Sequence, residues 1–118
     1  MEMKELKDQI LSLPKAIQEK QIAMFDAERL LQENKLIVNS ARINIYREVE
    51  NEKLDGKPKF SNKDARDTET SIRVNGTYKV IIESIEEQKE IIKKLGFEFD
   101  FLKRSFRAYE TLSRLGVN

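Results

Sequence analysis

The sequence predicts an all-α protein in which two long helices fold back as an antiparallel coiled-coil hairpin, with a short N-terminal helix and a short helix in the connection. Two repeats of apolar residues at helical spacing carry this prediction. Only two prolines and four glycines interrupt the chain, and 36% charged with 39% apolar residues is typical of helices that each bury one stripe. We expect a single domain over residues 1–118.

The first repeat lies in the N-terminal half. Apolar residues recur at every seventh position, namely Met3, Ile10, Ile17, Met24, Leu31, Val38 and Ile45. The positions three residues later are Leu6, Leu13, Lys20, Ala27, Asn34, Ala41 and Glu48. Pro14 interrupts the pattern, and proline disfavours helix in the residue before it. We therefore expect a short helix over 1–13 and a long helix over 14–53; one kinked continuous helix is the alternative.

The connection is expected to span residues 54–76. Gly56 can terminate the first long helix in a left-handed conformation, and Pro58 blocks its continuation. Ser61 is a good N-cap with an acidic residue three positions later, so a short helix should follow to about residue 74. Asn75-Gly76 predicts a break, a kink or a tight turn.

The second long helix is predicted over residues 77–116. Its seam advances in alternating steps of three and four through Tyr78, Ile81, Ile85, Gln88, Ile92, Leu95, Phe99, Leu102, Phe106 and Tyr109. Residues 96–101 also alternate with period two, as a strand does. A six-residue strand without a partner is unfavourable, and the repeat continues through Phe99 and Leu102, so helix is favoured. Two helices of similar length with one connection indicate an antiparallel hairpin.

Several apolar residues lie outside both seams, which predicts a further contact surface. They are Ile22, Leu36, Ile43, Val80, Ile82 and Ile91. Phe97 and Phe101 also lie off the seam, where they could cover the N-terminal helix or a second subunit. Such a surplus indicates a third helix, self-association or a partner. Residues 2–12 can cover part of it, and a homo-oligomer in a four-helix arrangement is the plainest solution for the rest.

The composition excludes most catalytic and metal chemistry. The chain has no cysteine, histidine or tryptophan, so thiolate chemistry, ordinary zinc sites and histidine bases are absent. We predict a non-enzymatic protein without cofactor, metal or catalytic residues. The start lacks a signal-peptide core, and no stretch reaches the roughly 20 apolar residues of a membrane span. We therefore expect a cytoplasmic protein with no membrane partner.

Two basic runs are candidate binding sites for DNA or a partner protein. The net charge of +1 means that any nucleic-acid role depends on local patches. The first run, around the connection, contains Lys57, Lys59, Lys63, Arg66 and Arg73; its small local excess of charge also fits a solvated loop and short helix. The second contains Lys103, Arg104 and Arg107 interleaved with aromatic residues, as in a single-strand platform. The plainer interpretation is a core helix with a charged outer face.

An acidic run separates the two basic ones. Glu83, Glu86, Glu87 and Glu90 could face a basic groove of a partner protein and mimic nucleic acid. The plainer interpretation is a solvated helix face. These residues are the candidate partner face if the protein acts as an inhibitor.

Nearly the whole chain resembles a group of small bacteriophage proteins. Their pattern is a long charged helix, a K-[FYL]-[ST]-N-x-x-x-R segment, and a second long helix with an aromatic and basic end. The matching segments are Lys59-Phe60-Ser61-Asn62-Lys63-Asp64-Ala65-Arg66 and Phe101-Leu102-Lys103-Arg104-Ser105-Phe106-Arg107-Ala108. Asn75-Gly76 departs from the uninterrupted helix of that group. The resemblance implies a phage origin and an accessory role beside recombination or replication functions, without catalytic residues.

Three functions are compatible with these features. The first is a non-enzymatic phage accessory protein for DNA recombination or replication that binds DNA or a DNA-bound protein. The second is an anti-defence inhibitor of a host nuclease or CRISPR-Cas effector, acting by groove occupation or nucleic-acid mimicry. The third is a structural coiled-coil assembly protein. Possible partners are thus a second copy of the chain, DNA, and a host or phage protein.

Overall fold

A computed structural model describes residues 2–116. The elements are α1 (Met3–Asn51), β1 (Lys53–Leu54), β2 (Lys57–Pro58), α2 (Lys63–Thr77) and α3 (Lys79–Arg114). The helices contain 49, 15 and 36 residues, so the prediction of an all-α protein is confirmed. Met1, Val117 and Asn118, which the predicted domain includes, lie outside the described residues.

The chain divides into two compact units. The terminal unit comprises the described residues up to Arg29 and those from Lys89 onward. The central unit comprises Leu30–Gln88. Helices α1 and α3 contribute to both units, whereas α2 and the two strands belong to the central unit alone.

The predicted seams form the cores of these units. Leu6, Leu13 and Ala27 are buried in the terminal unit, and the central unit buries Leu31, Val38, Ala41, Val49, Thr70, Val74 and Ile85. All ten predicted seam positions from Tyr78 to Tyr109 are buried or half-buried. Near the end of α1 the seam advances to Val49 rather than to Glu48, because a step of four keeps an apolar side chain on the same helical face.

The predicted break at Pro14 is wrong, and α1 is one helix from Met3 to Asn51. Leu6 and Leu13 precede the proline on the same seam and are 1% and 7% exposed, while Pro14 itself is exposed. An internal proline costs about 3 kcal/mol through a lost hydrogen bond and a steric clash. Packing of the apolar face outweighs that cost, since most helical stability in proteins comes from tertiary contacts. The continuous alternative is therefore the observed one.

The predicted connection over 54–76 also needs correction, because α1 ends at Asn51 and a small β-hairpin follows. Lys53 pairs with Pro58, and Leu54 pairs with Lys57. Asp55 and Gly56 form the two-residue turn with φ of 53° and 78°. Two positive φ values are what a type I′ turn requires, and Asp-Gly is among its preferred sequences. Gly56 therefore turns a hairpin instead of capping the helix.

The boundaries of the last two helices differ from the predicted ones. Asn62, and not Ser61, caps α2: its side-chain oxygen accepts a hydrogen bond from the Ala65 amide at 2.7 Å. Asn75-Gly76 lies inside α2, which continues to Thr77. The Tyr78 amide donates to the Val74 carbonyl, and the Tyr78 carbonyl accepts from the Ile82 amide. Tyr78 thus ends α2 and begins α3. Residues 96–101 lie within α3 and are helical, as predicted.

Candidate functional site

The first predicted basic site lies in the central unit around the β-hairpin. Lys57 and Lys59 are exposed on or beside β2, and Lys63 is exposed at the first residue of α2. The Lys59 amide donates to the Glu52 carbonyl at 2.9 Å, which extends the hairpin by one backbone contact. The Lys59 ammonium lies 5.4 Å from the centre of the Phe60 ring. These three lysines thus lie on or beside ordered elements, on β2, just after it and at the start of α2, and all three are exposed.

Arg73, from the same predicted set, is committed to contacts within the unit. Its two terminal nitrogens each donate to one carboxylate oxygen of Glu52 at 2.8 Å, and its Nε donates to Glu69 at 2.8 Å. A paired guanidinium–carboxylate contact of this kind is stronger and more directional than a single ion pair. The hydrogen bonds that Arg73 donates to Glu52, and then to Glu69, raise the pKa of Arg73, and the same bonds lower the pKa of Glu52.

Arg66 is also engaged inside the central unit. Its Nε donates to the Tyr46 hydroxyl at 3.1 Å, and one terminal nitrogen donates to the Phe60 carbonyl at 3.3 Å. The hydrogen bond to Tyr46, together with the negative charges of Glu50 and Asp67, raises the pKa of the Arg66 guanidinium. Arg66 therefore ties α1, the segment before α2 and α2 together.

The partners of these arginines were not identified from the sequence. Tyr46 lies on α1 and Glu52 follows its last residue; they precede Arg66 and Arg73 by about twenty residues, and no local pattern indicates such pairings. Glu69 and Arg73 are four residues apart on α2, a spacing that predicts an ion pair on a helix. That spacing was the one signal in the sequence for this network.

The second predicted basic site lies on α3 in the terminal unit. Lys94, Phe97, Phe101 and Arg104 follow steps of three, four and three, so they share one face of the helix. All four are exposed, and the two phenylalanines retain 68% of their accessible surface. We call these four residues the aromatic–basic face. Phe97 and Phe101 also border a groove of about 420 Å³ that Lys20, Glu98 and Leu102 complete.

The other predicted residues of this run are placed differently. Arg107 is exposed on α3, three residues beyond Arg104. Lys103 is half-buried, and its ammonium lies 5.0 Å from the centre of the Phe99 ring. A cation over a ring face is attracted by the negative charge of that face. Lys103 is thus turned toward the seam residue Phe99, whereas Arg104 and Arg107 are at the surface.

A polar contact crosses the seam beneath the aromatic–basic face. The Lys20 ammonium of α1 donates to the Glu98 carboxylate of α3. This hydrogen bond is the main reason that the pKa of Glu98 is lowered, and the charge of Lys20 adds to the effect. Lys20 is a polar residue at a predicted seam position, and Glu98 is its ion-pair partner.

The acidic run is exposed at all four positions. Glu83, Glu86 and Glu87 lie on α3 in the central unit, and Glu90 lies on α3 in the terminal unit. The Lys79 ammonium is 4.0 Å from the Glu83 carboxylate, an exposed pair one helical turn apart. Such pairs contribute little to stability, so the run behaves mainly as a solvated negative surface.

Comparisons with protein-family models, with curated proteins and with solved structures give no match for this chain. No helix within residues 2–116 is both long enough and apolar enough to span a membrane. The same residues contain no group of three or more side chains suited to hold a metal ion.

Proposed function

We propose that this chain is a non-enzymatic accessory protein of phage origin that binds single-stranded DNA through the aromatic–basic face of α3. The exposure of Phe97 and Phe101 between Lys94 and Arg104 is the observation that carries the proposal. Exposing two large rings to water on one face of a helix is unfavourable unless a ligand or partner covers them. The phage origin rests on the resemblance of the two segments 59–66 and 101–108.

The chemistry of single-strand binding fits this face. Proteins that bind single strands without sequence preference combine basic side chains, which contact phosphates, with aromatic rings on which bases stack. Phe97 and Phe101 are four residues apart, so their rings lie on adjacent turns. Arg104 lies one turn beyond them, and Arg107 extends the positive charge. The segment from Lys89 to the C terminus has seven basic and four acidic residues, which favours an anionic ligand.

The arrangement we propose for the helices is the antiparallel hairpin. Contacts within the central unit support it: Asn34, Arg42 and Tyr46 of α1 bond to Ser84, Ser71 and Arg66 respectively. The residue number of the bonded partner falls as the residue number along α1 rises, as expected for helices that run in opposite directions. In that arrangement, the lysines beside the β-hairpin form a second contact for phosphates.

The test measures binding of a fluorescein-labelled single strand and of its duplex by fluorescence anisotropy, over a series of salt concentrations. We expect single-strand binding that weakens with added salt, because phosphate contacts release counterions. Changing Phe97 and Phe101 to Ala should cost about 1–3 kcal/mol of binding free energy for each stacked base. Phe25→Ala is the matched control, since Phe25 is a phenylalanine of the same unit with 66% of its surface exposed.

Two results would refute this proposal. One is the absence of binding to either DNA form at low ionic strength. The other is an equal loss of affinity in Phe25→Ala and in the double phenylalanine variant. Arg104→Ala should reduce the salt dependence, whereas Arg73→Ala should affect stability more than affinity, because Arg73 is already bound by two carboxylates.

The acidic residues of α3 support a second candidate function, inhibition of a host defence nuclease by mimicry of nucleic acid. Glu83 lies three and four residues before Glu86 and Glu87, so these carboxylates share one exposed face of α3. A negative stripe on a helix can occupy a groove that normally binds a phosphate backbone. Reconstitution with a purified CRISPR-Cas effector would test this: inhibition that Glu83→Lys and Glu87→Lys abolish would favour it over DNA binding.

A further inference from the structure

A groove in the central unit is not used by the proposed DNA contact. It has a volume of about 490 Å³. Helix α1 contributes one wall and α2 the other, through Arg42, Ile43, Tyr46, Arg47, Glu50, Asp67, Thr70 and Ser71. The five α1 residues are spaced by one, three, one and three, so they line one side of that helix.

The groove is lined mostly by charged and polar residues, but it also contains an exposed aliphatic side chain. Ile43 is 56% exposed on the α1 wall, and Leu36, seven residues earlier on the same face, is also exposed. Ile72 is exposed on α2, next to the lining residue Ser71. Exposed aliphatic side chains on neighbouring elements favour a protein–protein contact over a fully solvated face. An occupant of the groove should therefore offer both an apolar side chain for Ile43 and charges for the polar lining.

The charges of the groove are divided between its two ends. Arg42 donates to the Ser71 hydroxyl at 3.4 Å, and within residues 2–116 neither Arg42 nor Arg47 forms an ion pair. At the other end, Glu50 and Asp67 share one positive neighbour, Arg66. On the α1 wall, Arg42 thus carries a positive charge at one end and Glu50 a negative charge at the other, with Arg47 one turn before Glu50.

We propose that a second copy of this chain occupies the groove, with its α1 antiparallel to the first around a two-fold axis near Tyr46. Arg42 and Glu50 lie four residues on either side of Tyr46. Rotation about that axis therefore brings Arg42 of each copy toward Glu50 of the other, while Ile43 enters the shared apolar centre. A surface that carries both signs at mirrored positions is complementary to itself, as an isologous dimer requires. This interface goes beyond the proposed DNA binding and does not depend on it.

Sedimentation equilibrium of the full chain over a range of protein concentrations tests the proposal. We expect a monomer–dimer equilibrium for the unmodified chain. Arg42→Glu and Glu50→Arg each place like charges opposite one another and should raise the dimer Kd roughly tenfold or more. The double variant R42E/E50R restores opposite charges and should return the Kd to near that of the unmodified chain.

Ile43→Lys, which puts a charge in the apolar centre, should abolish the dimer. Val80→Lys is the matched control, because Val80 is an exposed apolar residue of the same unit that does not line the groove. Circular dichroism and thermal melting of each variant show whether the fold is retained. A monomer at all concentrations, a dimer that Ile43→Lys leaves intact, or a double variant weaker than both single ones would overturn the proposal. So would a larger assembly in which R42E/E50R fails to restore association, since an open coiled-coil polymer does not require mirrored charges.

Discussion

The central and terminal units contain similar kinds of residues but use their charges differently. In the central unit, Arg73 bridges Glu52 and Glu69, and Arg66 joins Tyr46 to the Phe60 carbonyl. In the terminal unit, Arg104 and Arg107 are exposed. In the sequence these arginines look equivalent as candidate phosphate contacts. In the structure, those of the central unit form hydrogen bonds within the unit, and those of the terminal unit lie at the surface. The comparison shows that a basic run does not by itself define a basic surface.

Both units expose some aliphatic side chains, but within the described residues the exposed phenylalanines lie in the terminal unit. The central unit encloses Val49 and Val74 completely, next to a buried threonine whose hydroxyl donates to the Arg66 carbonyl. The terminal unit buries Leu6 but leaves Phe97 and Phe101 in water. The first arrangement stabilises the fold, whereas the second leaves aromatic surface for a ligand. The following predictions test how far this contrast holds.

The largest expected effect comes from truncating one core leucine in each unit. Leu6→Ala and Leu31→Ala should each lower the free energy of unfolding by about 2–5 kcal/mol, because both remove buried methyl groups and leave a cavity. Urea denaturation followed by circular dichroism measures the loss. Hydrogen exchange should show the earliest loss of protection in the unit that carries the substitution, and uniform loss over residues 2–116 in both variants would contradict a division into two units.

Removal of Arg73 should have the next largest effect, on the central unit. Arg73→Met strips hydrogen bonds from Glu52 and Glu69 together, so the melting temperature should fall clearly. Arg73→Lys keeps the charge but not the paired geometry, and it should recover only part of the loss. Lys79→Ala removes the exposed 4.0 Å pair with Glu83 and serves as the control with almost no change. An equal effect of Arg73→Met and Lys79→Ala would show that the network does not stabilise the unit.

The pH dependence of stability should reveal the contributions of Glu52 and Glu98, each of which binds a cation from a distant part of the chain. The pKa values of Glu52 and Glu98 are lowered from an ordinary value of 4.5. Their stabilisation is therefore complete above that pH and is lost as the pH falls through the lowered values. Urea denaturation at a series of pH values should show Glu52→Gln and Glu98→Gln less stable than the unmodified chain at neutral pH, with the gap closing in acid. A gap that widens in acid would contradict this assignment.

At neutral pH, the loss of stability relative to the unmodified chain should be larger for Glu52→Gln than for Glu98→Gln. Glu52 accepts two hydrogen bonds from a guanidinium, whereas Glu98 accepts one from an ammonium. Equal gaps for the two variants would mean that the paired geometry in the central unit adds nothing to a simple ion pair.

Three glycine substitutions should have the smallest effects and differ in sign. Gly76→Ala in the central unit and Gly96→Ala in the terminal unit should each stabilise by about 0.5–1 kcal/mol, because both glycines are helical and an added methyl group meets no atom within 4 Å. Gly56→Ala should destabilise by about 1–2 kcal/mol, since its φ of 78° is left-handed. Thermal melting measures all three. Stabilisation by Gly56→Ala would argue against the Asp55–Gly56 turn.

Much of the fold could be predicted because helical seams are local patterns. The steps of three and four from Tyr78 to Tyr109 predicted α3, and all ten predicted seam positions are buried or half-buried. Pro14 and Gly56 were misinterpreted because each residue suits more than one structure. A proline can break a helix or be held inside one by packing on its apolar face, and a glycine with positive φ can end a helix or turn a β-hairpin.

The candidate sites were less predictable. The sequence identified both basic runs and placed Phe97 and Phe101 off the seam, and both rings are exposed. It did not indicate that Arg66 and Arg73 are bound to partners about twenty residues away, or that Lys103 is turned onto Phe99. Which of two nearby cations reaches solvent depends on the side chains that another helix brings beside it.

The sequence alone determined that the chain is helical and which stripe of the two long helices is buried, because helix period and apolar spacing are properties of neighbouring residues. Only the tertiary structure decided the continuity of α1 through Pro14, the identity of Asn62 as the cap of α2, and the division between bound and exposed cations. The Asn62 cap is a local contact with an amide three residues away, whereas the other two outcomes depend on contacts between residues far apart in the chain. Such contacts outweigh local preferences of one to a few kcal/mol without leaving a pattern in the sequence.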